Sequence, residues 1–223
     1  AGDALTTATR NVAIGHRALG SETGAGQITA IGHDALKNYN KGSGDGNVVA
    51  IGYHAATQMT TGGGVIIGAL AGNALTTGTN NVVIGQNALG DEDTGSKNIA
   101  IGSNALENLN LDGEAYNVAI GHNAGRQVTT GQDNIIIGGL AGDALTEGGN
   151  NVAIGRSALS DETTGGSNIA IGKNAMSSSQ LSQHNIAIGY EALQNVTNGT
   201  LKNTFNIAIG YHAGNDITTG ETT

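Results

Sequence analysis

The chain has 223 residues, with 38 Gly, no Pro, Cys or Trp, and 3% aromatic residues, which excludes a disulfide scaffold or thiolate metal site and argues against a single compact core, since such cores need large aromatic fillers. A net charge of −9, with nine Lys and Arg scattered singly, leaves no basic stripe for a nucleic-acid partner. No apolar run approaches the roughly 18 residues of a membrane-spanning helix, and no membrane insertion is expected.

The first coil sets the pattern. Val12, Ala13 and Ile14 form a three-residue strand, and Gly15 closes it at a corner that needs positive φ or a close backbone approach. Ile-Gly pairs recur at Ile14, Ile31, Ile51, Ile67, Ile84, Ile101, Ile120, Ile137, Ile154, Ile171, Ile188 and Ile209, and Ala stands four residues after each Ile. Seven of the eleven spacings are 17 residues, and the others are 16, 19, 20 and 21. A fixed short period of this kind predicts a β-solenoid of about twelve coils. β-Branched residues, Gly and Asn saturate every repeat and argue against helices.

The twelve isoleucines are expected to stack as one buried structural core. The residue before each is Ala in nine coils and Ile66, Val83 or Ile136 in the rest. This opposite face never carries a charge, so both strand faces are expected to be buried, one of them against an identical chain. Asn precedes the strand in nine coils, from Asn11 to Asn206. Stacking turns these into an Asn ladder at a corner where Asn tolerates left-handed backbone.

A longer period overlies the short one. Residues 3–72 align with 73–142 in blocks of 70, and 143–223 forms a third block with one extra coil, so 1–223 is read as a single repeat domain. Ala1–Thr6 repeats as Ala141–Thr146, which closes one coil and opens the next. The expectation is a window onto a longer array. Insertions follow Leu36, Leu106 and Leu193, and beyond Tyr39, Leu109 and Val196, which read as packed, their loops diverge. Divergent bulges on a rigid scaffold are where recognition usually sits, making Lys41, Asp45, Asp112, Glu114, Tyr116, Lys202 and Phe205 the candidate binding residues. The alternative is that these loops are surface insertions without a partner.

Chemistry is otherwise sparse. No nucleotide, hydrolase or zinc motif is present, so neither an enzyme nor a cofactor is expected. His16, His33 and His122 share one offset and read as a surface column rather than a metal site. Glu22, Glu92 and Glu162 recur every 70 residues in acidic turns. A calcium site is the alternative there, but four coils, about 19 Å, separate neighbouring turns. Tyr53, Tyr190 and Tyr211 share the histidine offset and could stack on sugars.

The N-V-A-I-G-x-x-A repeat, with Gly closing the strand and Ala four residues after the Ile, resembles the YadA-like heads of trimeric autotransporter adhesins. The variant from Thr76 to Leu89, T-T-G-x-N-N-V-x-I-G-x-N-A-L, looks more like repeats of bacteriophage tail fibres. The resemblance spans the whole chain. It implies a left-handed parallel β-roll, a homotrimer around one axis, and an extracellular role in attachment to a cell-surface glycan or protein. The 17-residue period, longer than is usual in adhesins, and the lack of stalk heptads or an anchor favour the phage fibre over the adhesin. An ice-binding solenoid would need Thr on every coil, whereas T-T-G occurs only at Thr60, Thr76, Thr129, Thr163 and Thr218. A polysaccharide-cleaving tailspike would need paired carboxylates in a groove.

Overall fold

The computed structural model describes residues 1–217, with backbone alone for 197–202. Among them all regular structure is β. The chain forms two units, Ala1–Ala115 and Tyr116–Thr223. The first holds β1 (Val12–Ile14), β2 (Gly26–Ile31), β3 (Asp45–Ile51), β4 (Gly63–Ile67), β5 (Thr79–Ile84) and β6 (Ile99–Ile101), paired in that order. The second holds β7 (Val118–Ile120), β8 (Ile135–Ile137), β9 (Val152–Ile154), β10 (Ile169–Ile171), β11 (Gln180–Gln183), β12 (Ile186–Ile188), β13 (Thr197–Asn203) and β14 (Ile207–Ile209). There β7-β8-β9-β10-β12-β14 stack as the repeat sheet, while β11 pairs with β13 beside it. The pairing is parallel and in register, Ile14 on Ile31 and Ile171 on Ile188. Each unit is a β-solenoid, with one Ile-Gly pair closing one repeat strand per coil.

The two strand faces are the reverse of the sequence expectation. Ala30, Ala50, Ile66, Val83 and Ala100 in the first unit, and Ala119, Ile136, Ala153, Ala170 and Ala187 in the second, are buried inside the coil. The expected core column lies outside. Ile14, Ile120 and Ile209 are exposed, while Ile31, Ile51, Ile67, Ile84, Ile101, Ile137, Ile154, Ile171 and Ile188 are half-buried. The physical reason is the thinness of the coil. The strand faces a wall of alanines such as Ala18, Ala35 and Ala158, followed by Leu19, Leu36 and Leu159, all fully buried. Little more than a methyl group fits between. At two of the three coils with a larger inner residue the wall shrinks: Ile66 and Ile136 lie opposite Gly72 and Gly142, and a Cβ on either glycine would stand 3.5 Å from that isoleucine. Volume is thereby conserved in those two layers. Ala119→Glu would therefore disrupt the coil itself, not a contact between chains.

The corners depend on left-handed backbone. The glycine of every Ile-Gly pair has φ between 120° and 140°, a region open to glycine alone. Two further left-handed residues follow in each coil, three and five positions after the Ile, such as Arg17 and Leu19 or Asp34 and Leu36. Left-handed backbone costs a non-glycine residue on the order of 1 kcal/mol, and hydrogen bonds between coils offset it. Asp34 N–H donates to His16 O of the preceding coil at 2.9 Å, and Leu36 N–H to Ala55 O of the following one at 3.1 Å. Alternate corner donors thus point to opposite neighbours, so both rims of a coil are satisfied.

The predicted Asn ladder is present and buried. Oδ1 of Asn134 accepts from Asn151 N–H at 3.0 Å, and its Nδ2 donates to Gly148 O at 2.9 Å. The left-handed residue is the one before the ladder position, such as Asn80, Asn150 or Phe205, rather than the ladder Asn itself. Gly121 carries the sharpest test of stacking, because a Cβ there would sit 2.6 Å from the backbone of Gly138 at φ 140°. Gly121→Ala is expected to cost roughly 2–4 kcal/mol, measured by chemical denaturation. A loss under ~0.5 kcal/mol, that of an ordinary surface substitution, would contradict this packing.

Candidate functional site

The three recurring glutamates are loop clamps. Eight residues after the Ile, the core column carries Tyr39, Met59, Leu75, Leu109, Val128, Leu145 and Val196, all buried. Glu22, Glu92 and Glu162 occupy that same column, with no exposed surface. Glu22 Oε1 accepts N–H donors from Thr23, Gly24 and Ala25, each at 2.8 Å, and from Gly42 at 3.2 Å, while Oε2 accepts from Lys41 at 2.9 Å. Glu92 takes Thr94, Gly95 and Leu111 N–H, and Glu162 takes Thr163, Gly165, Leu181 and Ser182 N–H together with the Ser182 hydroxyl. A carboxylate whose lone pairs face backbone donors is an anion in a nest, not a calcium ligand. Each clamp ties its own turn to the chain of the next coil, and Glu22 and Glu92 thereby hold the bases of the first two insertions. Reading the acids against the offset of the core column, rather than as polar turns, would have revealed them.

The candidate binding residues fall into separate groups. In the first insertion the Lys41 ammonium donates to the Asp45 backbone carbonyl. Lys41 also lines an open cleft of about 440 Å³ with Asn47, Thr79, Asn80 and a floor of glycines, Gly46 and Gly62–Gly64. Tyr39 lies beneath this loop, fully buried as expected, its hydroxyl donating to Gly62 O at 2.9 Å. Burial pushes its pKa up to about 12. In the second insertion Asp112 accepts from the Thr94 hydroxyl at 2.5 Å, and Glu114 pairs with Lys97 at 2.6 Å. Tyr116 opens the second unit, half-exposed and left-handed. Phe205 is likewise left-handed, and its ring stacks on His184 with centroids 5.1 Å apart. The Lys202 side chain lies outside the described residues. The Lys41 contacts run to Asp45 and the glycine-floored cleft, and those of Asp112 and Glu114 to Thr94 and Lys97.

Two polar-aromatic clusters stand at offsets two and three after the Ile. In the first unit His16, His33 and Tyr53 form a stacked column with His54 tilted beside it. Beneath them lies buried Asp34, gripped by Arg17 through two hydrogen bonds of 2.7 Å. Burial alone would raise the Asp34 pKa, but the Arg17 guanidinium, then His33 and Lys37, hold it below the ordinary value. In the second unit Tyr190 and Tyr211 stack at 5.2 Å and 11°, with Lys173 over the Tyr190 ring. There Glu191 faces His212 at 3.2 Å. The hydrogen bond from Tyr190 lowers the Glu191 pKa, and the same bond raises that of Tyr190. Sequence reading found the histidines and tyrosines of this column but missed Asp34, Glu191, His54 and His212 one position on.

The threonine pairs do not form a free array. Hydroxyls of Thr60, Thr76, Thr129 and Thr146 donate to carbonyls of the following coil, and Thr218 lies outside the described residues. Comparison with known families, curated proteins and solved structures finds no match for this chain.

The clamps yield a pH test. For Glu22, burial raises the pKa, but backbone donors led by Ala25 outweigh it, and the pKa falls below 4.5. Glu22 therefore contributes stability that is present above the ordinary carboxylate range and lost as pH falls through its lowered pKa. At Glu92 burial outweighs the donors and the pKa rises, so its ionised form costs stability above that raised value. Glu22→Gln is expected to cost about 2 kcal/mol at pH 7, with the loss shrinking in acid. Glu92→Gln should cost less at pH 7. Denaturant titrations at both pH values check this, and equal losses at neutral pH would refute it.

Proposed function

We propose that this chain is a non-enzymatic attachment fibre segment that assembles as a homotrimer and works outside the cell, as part of a bacteriophage tail fibre that recognises the host surface. The observation that carries the reading is the outer strand face. Each coil presents two side chains there, Val, Ile or Thr followed always by Ile. Val12, Ile14, Ile120, Ile135, Ile207 and Ile209 are among the exposed large hydrophobics. Monomeric proteins rarely leave an apolar stripe such as each unit carries open to water.

The occupant that fits this stripe is a second and third copy of the same chain. Only a surface with the same coil rise can place an apolar column against each of these columns in register. Closure at three copies, and a left-handed coil, follow from the resemblance to trimeric fibre repeats. With the stripe covered, recognition falls to the sides, where the Lys41–Asp45 loop and its polar cleft offer an ammonium, two amides and a hydroxyl suited to a glycan. The head of a bacterial trimeric adhesin is the second reading, favoured by the shared N-V-A-I-G core.

Sedimentation equilibrium tests assembly. The chain should run at three times its 22.1 kDa mass. Ile154→Glu combined with Val152→Glu should give monomers that keep β-type circular dichroism, because both side chains face outward. A wild-type chain that is a stable monomer would overturn the proposal. In the trimer, Lys41→Glu should weaken binding to host cells at least ~10-fold, about 1.4 kcal/mol, without changing sedimentation. Undiminished binding would move recognition away from the cleft.

A further inference from the structure

We propose that His16, His33 and Asp34, with His54 beside them, form a binding site for a divalent transition-metal ion of the zinc, nickel or copper class. One ligand atom each from His16, His33 and Asp34 lies within 4.8 Å of the other two. His33 Nδ1 stands 3.7 Å from Asp34 Oδ2, His54 Nε2 3.8 Å from the same oxygen, and His16 Nδ1 4.0 Å from Oδ1. These gaps are too long for hydrogen bonds. They suit two atoms sharing one ion: with metal–ligand bonds of about 2.0–2.1 Å, neighbouring ligands sit roughly 3.4 Å apart in a tetrahedron and about 4.2 Å apart when opposed.

The scaffold explains the convergence. His16 and His33 hold the same offset on adjacent coils, so β-stacking fixes their rings 4.9 Å apart, and His54 adds a third imidazole from the next coil. Asp34 is 3% exposed, so its carboxylate cannot turn away to solvent, whereas the His16 and His33 rings are 65% and 44% exposed and free to tilt inward. Arg17 donates one hydrogen bond to each carboxylate oxygen, so each oxygen keeps a second lone pair for an ion. Arg17 plays the part of the outer partner that orients a ligating carboxylate. Neutral imidazole with carboxylate is the donor set that zinc, copper and nickel select.

The second unit supplies an internal contrast. His212 and Glu191 occupy matching offsets, but their 3.2 Å separation is that of a direct hydrogen bond and leaves no room for an ion. His122 has Asn123, not a carboxylate, at the following position.

Isothermal titration of the whole chain with ZnCl2 and with NiCl2, near pH 7.5 in a non-chelating buffer, tests the site. One ion per chain should bind, and His33→Ala should weaken binding at least ~10-fold. His16→Ala should weaken it similarly, and His122→Ala should leave it unchanged. Circular dichroism of each variant shows whether the fold is intact. Nickel-induced broadening of histidine signals gives a second readout, in which His16 and His33 should broaden before His122 and His212. No binding by the wild-type chain, or equal binding by folded His33→Ala, would overturn the proposal.

Discussion

Backbone polar groups at a chain corner must find partners, and in this chain the left-handed corner residues find them in the coil above or below. The Ile-Gly corner turns through positive φ three times within five residues, and each turn aims an N–H along the stacking direction. No coil is complete by itself. Stacking in strict register is therefore the condition on which the interior alanines, the Asn ladder and the glutamate clamps all depend.

Strict register turns each offset of the repeat into a column with its own environment. The offset before Ile is a narrow interior that takes methyl groups, and the Ile offset is an outer apolar stripe. The offset eight residues on is a buried column that takes Leu, Met or Tyr, or a carboxylate when backbone donors surround it. The second offset lies largely on the surface, where the rings of adjacent coils come together at stacking distance, and the third beside it ranges down to buried Asp34. A single histidine per coil thus becomes a cluster without any loop to shape it. That geometry lets a chain with so few titratable groups concentrate three imidazoles around one carboxylate at Asp34.

Much of this was legible in the residues. The period, the parallel β-solenoid, the Asn ladder and the burial of Tyr39 all follow from spacing and residue type. The inside and outside of the strand did not, because Val-Ala-Ile alternates apolar residues on both faces and hydrophobicity cannot label them. The compensating pairs Ile66 with Gly72 and Ile136 with Gly142 carry that information, but only once the coil's wall is known. The left-handed corners were half legible, since Gly15 signals positive φ while Arg17, Leu19, His54 and Met176 adopt it with no such mark. The burial of Glu22 and Asp34 was hidden for a related reason: composition presents them as surface charge, and only their place in a column shows that they are buried.

The central claim is that this chain keeps Ala inside its own coil and turns Ile toward neighbouring copies. The natural absence of cysteine makes the claim open to a direct measurement, interchain cross-linking with a short bifunctional maleimide of Ala153→Cys and Ile154→Cys proteins. The account predicts linked chains from Ile154→Cys, and no linkage from Ala153→Cys, whose thiol should react only after denaturation. Linkage through position 153, with position 154 inert, would contradict it.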